Sequence, residues 1–429
     1  MNLVTKMKRA AVLTAAILVA SSTVGLPANY RYVSAAETTS AVNSVDAFRI
    51  VALGDSITAG YEPGMTESSI PYGFVERLWE QGLYHSRTEV VNYGILGLKS
   101  EGLVNLVNAI ADARAVTGDQ IQSGLVDPRI AALGSATPQM KADLAAADVV
   151  TITIGGNDLK DVMFSAISSD TVNKDAVVSQ ATTLLTAYTA NVKKVVEKLH
   201  AINPEATIII ADQYQPVPQI ASSTGYPILL QISSEFTSQV DQLVAAFSAQ
   251  GVKVKSAHVA EQFIGGEGTM THIIGSRDIH PNQIGYTSIA EVFANTIWGE
   301  YKQTPVNTAP APMGVIVKGQ LMETPYQPIL RNNQNYVAIK EIVDAMGAKT
   351  AWDNKTSSAT ITYGDKQVVI TIGAKSVNVN GESIAIDSPA FLEKVGKESK
   401  TYVPLAALAK GLGFDVQYNT KTRTVFINP

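Results

Sequence analysis

A serine in Leu53-Gly54-Asp55-Ser56-Ile57-Thr58-Ala59-Gly60 and a histidine in Arg277-Asp278-Ile279-His280-Pro281-Asn282 are the residue types that acyl transfer requires. One supplies a hydroxyl nucleophile, the other an imidazole base suited to neutral pH. The tetrahedral intermediate of such a transfer also needs donors for its oxyanion. Asn92-Tyr93-Gly94-Ile95-Leu96-Gly97 offers a glycine whose N–H a substrate oxygen can approach, and Gly155-Gly156-Asn157-Asp158 offers a fixed side-chain amide. Taken alone, Ser56 is better explained as the N-cap of a following helix. Its standing comes from the three partner motifs.

Those motifs need a frame that brings them together. From Phe48 onward short apolar runs alternate with longer amphipathic ones, the pattern of an α/β domain on a parallel sheet. The spacing predicts strands at Phe48–Leu53, Val90–Tyr93, Val149–Ile154, Thr207–Ala211 and Val252–Ala257, and helices at Tyr72–Gln81, Leu184–Leu199 and around Phe236–Ala249. The strands are β-branched and almost wholly apolar, as a sheet covered on both faces requires. Each motif follows a different predicted strand, so all four belong on one sheet edge.

Gly-Asp-Ser-Ile-Thr, Asn-x-Gly-x-x-Gly, Gly-Gly-Asn-Asp and His-Pro-Asn, in that order, resemble the four signature blocks of the SGNH (GDSL-type) hydrolase family, from about Phe48 to Tyr301. The resemblance implies a flavodoxin-like three-layer α/β/α sandwich and no cofactor. It implies Ser56 as nucleophile, His280 as base, and an oxyanion hole made by the Ser56 and Gly97 amides with the Asn157 side chain. One position departs from the pattern. The family's acid usually stands three residues before the histidine, where this chain has Arg277; Asp278, two before, is the nearest acid. Either Asp278 or a backbone carbonyl orients His280. Asp278 is favoured, because an ionised partner better stabilises the imidazolium formed in the reaction.

The other histidines read differently. His200 ends a helix before Asn203-Pro204, where a cation suits the helix dipole. His85 and His258 stand beside loops or strand ends and read as surface or satisfied core residues. His272 follows the glycine-rich segment 265–268 and is a candidate for lining the pocket. His272 and His280 lack metal-ligand spacing, so no metal site is expected. Asp55, Asn92 and Asp158 flank the motifs and read as turn braces. Tyr61-Glu62-Pro63-Gly64-Met65 and Val162-Met163-Phe164 are candidates for an apolar wall beside the site.

Composition bounds the rest. The chain has 429 residues, 46% hydrophobic and 17% charged, with a net charge of −5, which fits two folded units. The first 36 residues hold Lys6, Lys8, Arg9 and Arg31 and no acid; removing these four from 33 cations leaves 29 against 38 acids, a balance of −9. Nucleic acid is therefore excluded as a partner. With no cysteine there is no disulfide, thiolate nucleophile or iron–sulfur cluster. The basic start, the apolar run from Ala10 to Leu26 and the small residues Val33-Ser34-Ala35-Ala36 have the layout of a signal peptide over residues 1–36. An uncleaved membrane anchor is the alternative, although the apolar run is short for a span. A secreted, extracellular protein follows, with cell-wall association open.

Beyond the α/β domain at 45–301, the Pro-rich stretch 302–312 reads as a linker. Residues 313–429 form a smaller α+β unit that repeats itself at an offset of 66: Tyr336-Val337-Ala338-Ile339 matches Tyr402-Val403-Pro404-Leu405, Gly347 matches Gly413, and Trp352-Asp353 matches Tyr418-Asn419. Each copy is expected to run strand, short helix, Gly C-cap, strand pair. This segment resembles the family named after the copper amine oxidase N-terminal domain. It holds neither His nor Cys, so a copper site does not fit. Its expected role is attachment or spacing at a cell wall or matrix; simple stabilisation of the enzyme is the alternative. The function expected is a carboxylic ester hydrolase acting on a lipid, a short acyl ester or an acetylated glycan. A polysaccharide deacetylase and an inactive wall-binding protein remain as alternatives.

Overall fold

The computed structural model describes residues 30–31, 47–66, 69–168, 173–308, 313–331 and 334–429. The expected export segment 1–36, apart from Tyr30 and Arg31, and linker residues 309–312 lie outside the described residues. Backbone contacts divide the chain into two compact units. The first contains Ile50–Arg77 and Val91–Gly299, and the second Glu300–Pro429 with Leu78–Val90.

The parallel sheet is built on strands β1 (Tyr30–Arg31), β2 (Phe48–Gly54), β3 (Thr88–Gly94), β4 (Val149–Thr153), β5 (Thr207–Ala211) and β6 (Val254–Ala257). Their order in the sheet is β1-β3-β2-β4-β5-β6. The two-residue β1 pairs antiparallel with β3; the other five run parallel, with Ile50 beside Val149, Val149 beside Thr207 and Ile208 beside Val254. Alternation sends Val51, Leu53, Val150, Ile152, Ile208 and Ile210 into one core. Ile50, Ala52 and Ile209 point the other way and are as fully buried. A sheet buried on both faces explains strands with no polar alternation.

Helices α1 (Phe74–His85), α2 (Ser100–Ala111), α3 (Gly118–Ile121), α4 (Ile130–Ser135), α5 (Thr137–Ala145), α6 (Gly156–Ile167), α7 (Lys174–Ile202), α8 (Gly225–Ser248), α9 (Ala260–Phe263), α10 (Glu267–Met270), α11 (Ile273–Ser276) and α12 (Gln283–Trp298) fill the connections. On one face α2, α5, α7 and α8 pack around the first core. Elsewhere α12 packs on β6, and Phe74 of α1 stacks on Phe293 of α12 at 4.8 Å. Strands match expectation to within two residues. The helices run longer: α7 starts ten residues early, capped by the Asn173 side chain, and α8 starts at Gly225, with Pro227 in its first turn. Ile228, Leu229 and Ile232 extend the buried stripe of α8 upstream of Phe236.

Taking the five parallel strands in chain order, their spatial order is second, first, third, fourth, fifth. In such a sheet the connections leave in opposite directions from the first and third strands, and a crevice opens at their carboxyl ends. Here those strands are β2, which leads to Ser56, and β4, which leads to Asn157.

Among the described residues the C-terminal part carries three antiparallel or mixed sheets of four, five and four strands and two short helices, Ile339–Met346 and Leu405–Gly411. The repeat appears as paired equivalents: Val337 faces Val403 across two antiparallel strands, Tyr336 faces Pro404 and Ala338 faces Tyr402. The hairpins repeat as well, Asp353 closing on Ser358 and Asn419 on Thr424. Ile342, Val343 and Met346 share one core with their equivalents Leu408, Ala409 and Leu412. The two caps differ. Gly347 itself caps the first helix at φ +71°, whereas Leu412 caps the second and Gly413 takes the left-handed turn after it.

Gly54, the last residue of β2, is the tightest point beneath the site. Its φ is +145°, and a β-carbon there would lie 2.1 Å from the Thr153 carbonyl oxygen. Gly54→Ala is expected to cost ~3 kcal/mol or more through strain and overlap with backbone that cannot move aside. Urea denaturation measures it.

Candidate active site

The turn after β2 presents Ser56 at the carboxyl edge of the sheet. The Asp55 N–H donates to Thr153 O at 3.0 Å, and the Asp55 carboxylate accepts from the Ile57 N–H at 3.0 Å and the Thr153 hydroxyl at 3.1 Å. The Thr58 hydroxyl lies 2.6 Å from that of Thr153 and donates to Leu53 O. Asn92 donates from Nδ2 to Thr58 O at 2.7 Å, tying the end of β3 to the same turn. These short polar side chains hold the turn from three strands.

His280 Nε2 stands 2.8 Å from Ser56 Oγ, and His280 Nδ1 stands 2.7 Å from Asp278 Oδ1. The same Oδ1 accepts the His280 backbone N–H at 2.8 Å. That two-residue spacing is the geometry of an Asx turn, which lets a carboxylate two positions before a histidine curl back to its ring. Arg277, at φ +58°, makes the preceding bend. The serine hydroxyl, imidazole and carboxylate thus form a continuous hydrogen-bonded line, and a carboxylate, not a carbonyl, faces Nδ1. Burial alone would raise Asp278, but the hydrogen bonds and charge of His280 outweigh it and hold the carboxyl below its ordinary value.

Facing the serine is the segment 94–99. Gly97 sits at φ +79°, and a β-carbon there would meet only the Leu125 side chain, at 4.0 Å. Among the described residues neither the Ser56 nor the Gly97 N–H donates to a protein acceptor. Asn157 Nδ2 donates one hydrogen to Leu98 O at 2.9 Å, which fixes the amide and leaves its second hydrogen to donate. Asp158 accepts from the backbone N–H and hydroxyl of Ser100, so α6 and α2 are joined at their starts. Burial raises the Asp158 carboxyl, partly offset by those Ser100 bonds.

Several positioning residues escape a reading of motifs. Asp127 accepts the Leu96 N–H at 2.9 Å and pairs with Arg129 at 2.6 Å; Arg129 also donates to Gly94 O at 2.7 Å. Gln122 accepts from Lys99 N–H and donates to Gly97 O. All three brace the loop that carries Gly97, and their only sequence signal is polarity between short helices. Tyr61 meets the His280 ring edge-on at 4.7 Å, and the Tyr214 hydroxyl donates to Ile279 O at 3.0 Å. His272 stands outside the pocket lining. Its Nε2 is 2.9 Å from Glu62 Oε2, and its N–H donates to His280 O at 3.0 Å. His258 pairs with Asp241 at 2.8 Å. Asp55, Asn92 and Asp158 brace turns, as their positions suggested.

A cavity of about 420 Å³ opens beside Ser56. Tyr61, Pro63, Gly64, Val162, Met163 and Phe164 line it, from the two stretches expected to form an apolar wall; Glu62 and Met65 do not. Leu229, Ile232 and Phe236 of α8 line it as well, and the first two lie in the part of that helix upstream of the stretch that periodicity marked. Among the described residues no group of His, Asp and Glu is arranged to hold a metal ion. The arrangement is one that can activate a hydroxyl, stabilise an oxyanion and house an apolar chain.

Residues 52–287 match the model of the GDSL-like lipase/acylhydrolase family, more than half of the chain. The chain belongs to that family. Residues 316–427 match the model of the copper amine oxidase N-terminal domain. No curated protein matches. Among solved structures, a lipase from a goat rumen metagenome is similar at 21% identity and a TM-score of 0.39, over 59% of this chain and 100% of that one. A Clostridium thermocellum family 3 carbohydrate esterase is similar at 18% and 0.32, over 58% and 93%. Phospholipase A1 from Streptomyces albidoflavus is similar at 14% and 0.36, over 58% and 99%.

Asp55, next to Ser56 in the turn after β2, is buried. Burial pushes its carboxyl from 3.8 up to about 6, against the pull of the Ile57 and Thr153 hydrogen bonds and the charge of His280. A group whose value is raised on folding binds its proton more tightly in the native state. Its stabilising contribution is full below pH 3.8 and is lost as pH rises to about 6. The difference in stability between wild type and Asp55→Asn should therefore change by on the order of 3 kcal/mol across that window, in favour of the variant at the higher pH. Urea denaturation at a series of pH values tests it, and a difference independent of pH would contradict it.

Proposed function

We propose that the protein is a secreted serine esterase that cleaves carboxylic esters through an acyl-enzyme on Ser56. The observation that carries this reading is the unbroken line from Ser56 Oγ to His280 Nε2 and from His280 Nδ1 to Asp278, at 2.8 and 2.7 Å. As Ser56 Oγ attacks the ester carbon, its proton passes to His280 Nε2. Asp278 steadies the imidazolium so formed, since an anion 2.7 Å away favours the charged ring. The oxyanion takes hydrogen bonds from the Ser56 and Gly97 amides and from the free hydrogen of Asn157 Nδ2. His280 returns the proton to the departing alkoxide, leaving acyl-Ser56. Water, deprotonated by the same ring, then releases the acid.

The apolar cavity between α6 and α8 supports an acyl chain of several carbons over an acetyl group, because a two-carbon acid would leave most of it unfilled. Export is supported by the basic and apolar N-terminal run in a chain without cysteine; among the described residues no helix is long and apolar enough to cross a membrane. For the C-terminal part, attachment to a wall or matrix polymer is the role proposed.

Hydrolysis of p-nitrophenyl esters tests the reading. Ser56→Ala and His280→Ala should each lower kcat by ~10⁴-fold or more, and Asn157→Ala by ~10²–10³-fold. Asp278→Asn should cost ~10³–10⁴-fold, far more than Arg277→Ala. Wild type and Ser56→Ala equally inactive on every chain length would remove the esterase reading; equal, small losses at Asp278 and Arg277 would remove Asp278 from it.

A further inference from the structure

Isolated apolar residues on a protein surface are ordinary, so their distribution is what carries information. In the parallel-sheet unit the exposed large apolar side chains among the described residues are Ile70, Val126, Ile220, Ile264, Ile274 and Ile284, between 60% and 90% exposed. None lies on the outer face of a long helix. Ile70 stands between β2 and α1, Ile220 between β5 and α8, Ile264 and Ile274 beyond β6, and Ile284 in the first turn of α12. These are the connections that leave the carboxyl ends of the parallel strands, the edge that presents Ser56. Val126, on the β3–β4 connection, lines the cavity itself. Ile274 and Pro218 both lie within 4 Å of where a β-carbon on Gly268 would be, so these loops adjoin one another.

Of the charged side chains that line the cavity, the carboxylates of Asp55 and Asp278 are held by hydrogen bonds to Thr153 and His280. Lys160, one turn beyond Asn157 on α6, and Arg277, three residues before His280, both line the cavity. Neither takes part in an ion pair among the described residues. In a chain of net charge −5, two unneutralised cations flank the site amid exposed isoleucines. An apolar rim continuous with an apolar cavity and set with free cations fits a lipid–water interface carrying negative charge.

We propose that the carboxyl-edge face of the parallel-sheet unit docks onto an anionic lipid surface and draws acyl chains from it into the cavity. The inference rests on the cavity being an ester site and adds the state in which the substrate arrives. Isoleucine side chains enter the boundary between headgroups and acyl chains, while Lys160 and Arg277 meet the anionic headgroups.

Co-sedimentation with vesicles tests it, using full-length Ser56→Ala so that the lipid stays intact. Binding to vesicles of phosphatidylcholine with phosphatidylglycerol should be ~10-fold tighter than to phosphatidylcholine alone, with the excess lost in high salt or in Lys160→Gln/Arg277→Gln. Ile220→Ser/Ile274→Ser/Ile284→Ser, all exposed and outside the cavity lining, should weaken vesicle binding by ~10²-fold. In the active protein the same triple change should abolish any rise in rate as a short-chain phosphatidylglycerol passes its critical micelle concentration, with hydrolysis of soluble p-nitrophenyl butyrate unchanged. Undetectable vesicle binding, or a triple variant that binds like its parent, overturns the proposal. So does a dimer in solution that the triple change makes monomeric, because a second copy would then be the occupant. Vesicle binding as expected with no ester hydrolysed by wild type would uphold the docking face and remove the esterase reading.

Discussion

The hydrogen bond from the Asp55 N–H to the Thr153 carbonyl is where the site begins. It can form only because Gly54 has no side chain, since a β-carbon would overlap that same carbonyl. Bringing the chain this close to β4 turns it sharply at the end of β2, and Ser56 then stands over the crevice between the first and third strands. Everything else closes around that point. Asn92 reaches the turn from β3, Asp158 links the starts of α6 and α2, and the Asx turn at Asp278 aims the imidazole. Asn92 is buried and Asp158 and Asp278 are half-buried, and each is bonded to backbone, which is why they are tolerated beside an apolar frame.

Asp55 shows the cost of that arrangement. Its carboxylate is retained in a fully buried place, where its charge is disfavoured at neutral pH, because it caps the turn that carries Ser56. Stability and site geometry pull in opposite directions at this residue, a common state of affairs in a turn that shapes a cavity.

Much of this was legible before any coordinates. Strand positions followed from β-branched runs, and the four motifs fell after four different strands, so the parallel topology alone brought them to one edge. Ser56, Gly97, Asn157, Asp278 and His280 all line one cavity. Less could be seen of the braces. Asp127, Arg129 and Gln122 act through contacts with loop backbone that no periodicity encodes. Periodicity marked α8 only from about Phe236, whereas the helix begins at Gly225 and takes Pro227 in its first turn, where a missing N–H costs no intrahelical bond. His272 was only a candidate for the pocket by proximity in sequence, and the loop turns its ring toward Glu62.

In the C-terminal part, Val337 faces its own equivalent Val403 across an antiparallel strand pair. The two repeats are thus related by a local two-fold axis through that pair, and the strand each offers is the strand each accepts. This is the self-complementary geometry of a symmetric dimer written into one polypeptide. Its history and its present stability share one surface: a substitution in either strand alters a contact that both halves use, so the copies can diverge on their outer strands and hairpins far more freely than along the seam that joins them.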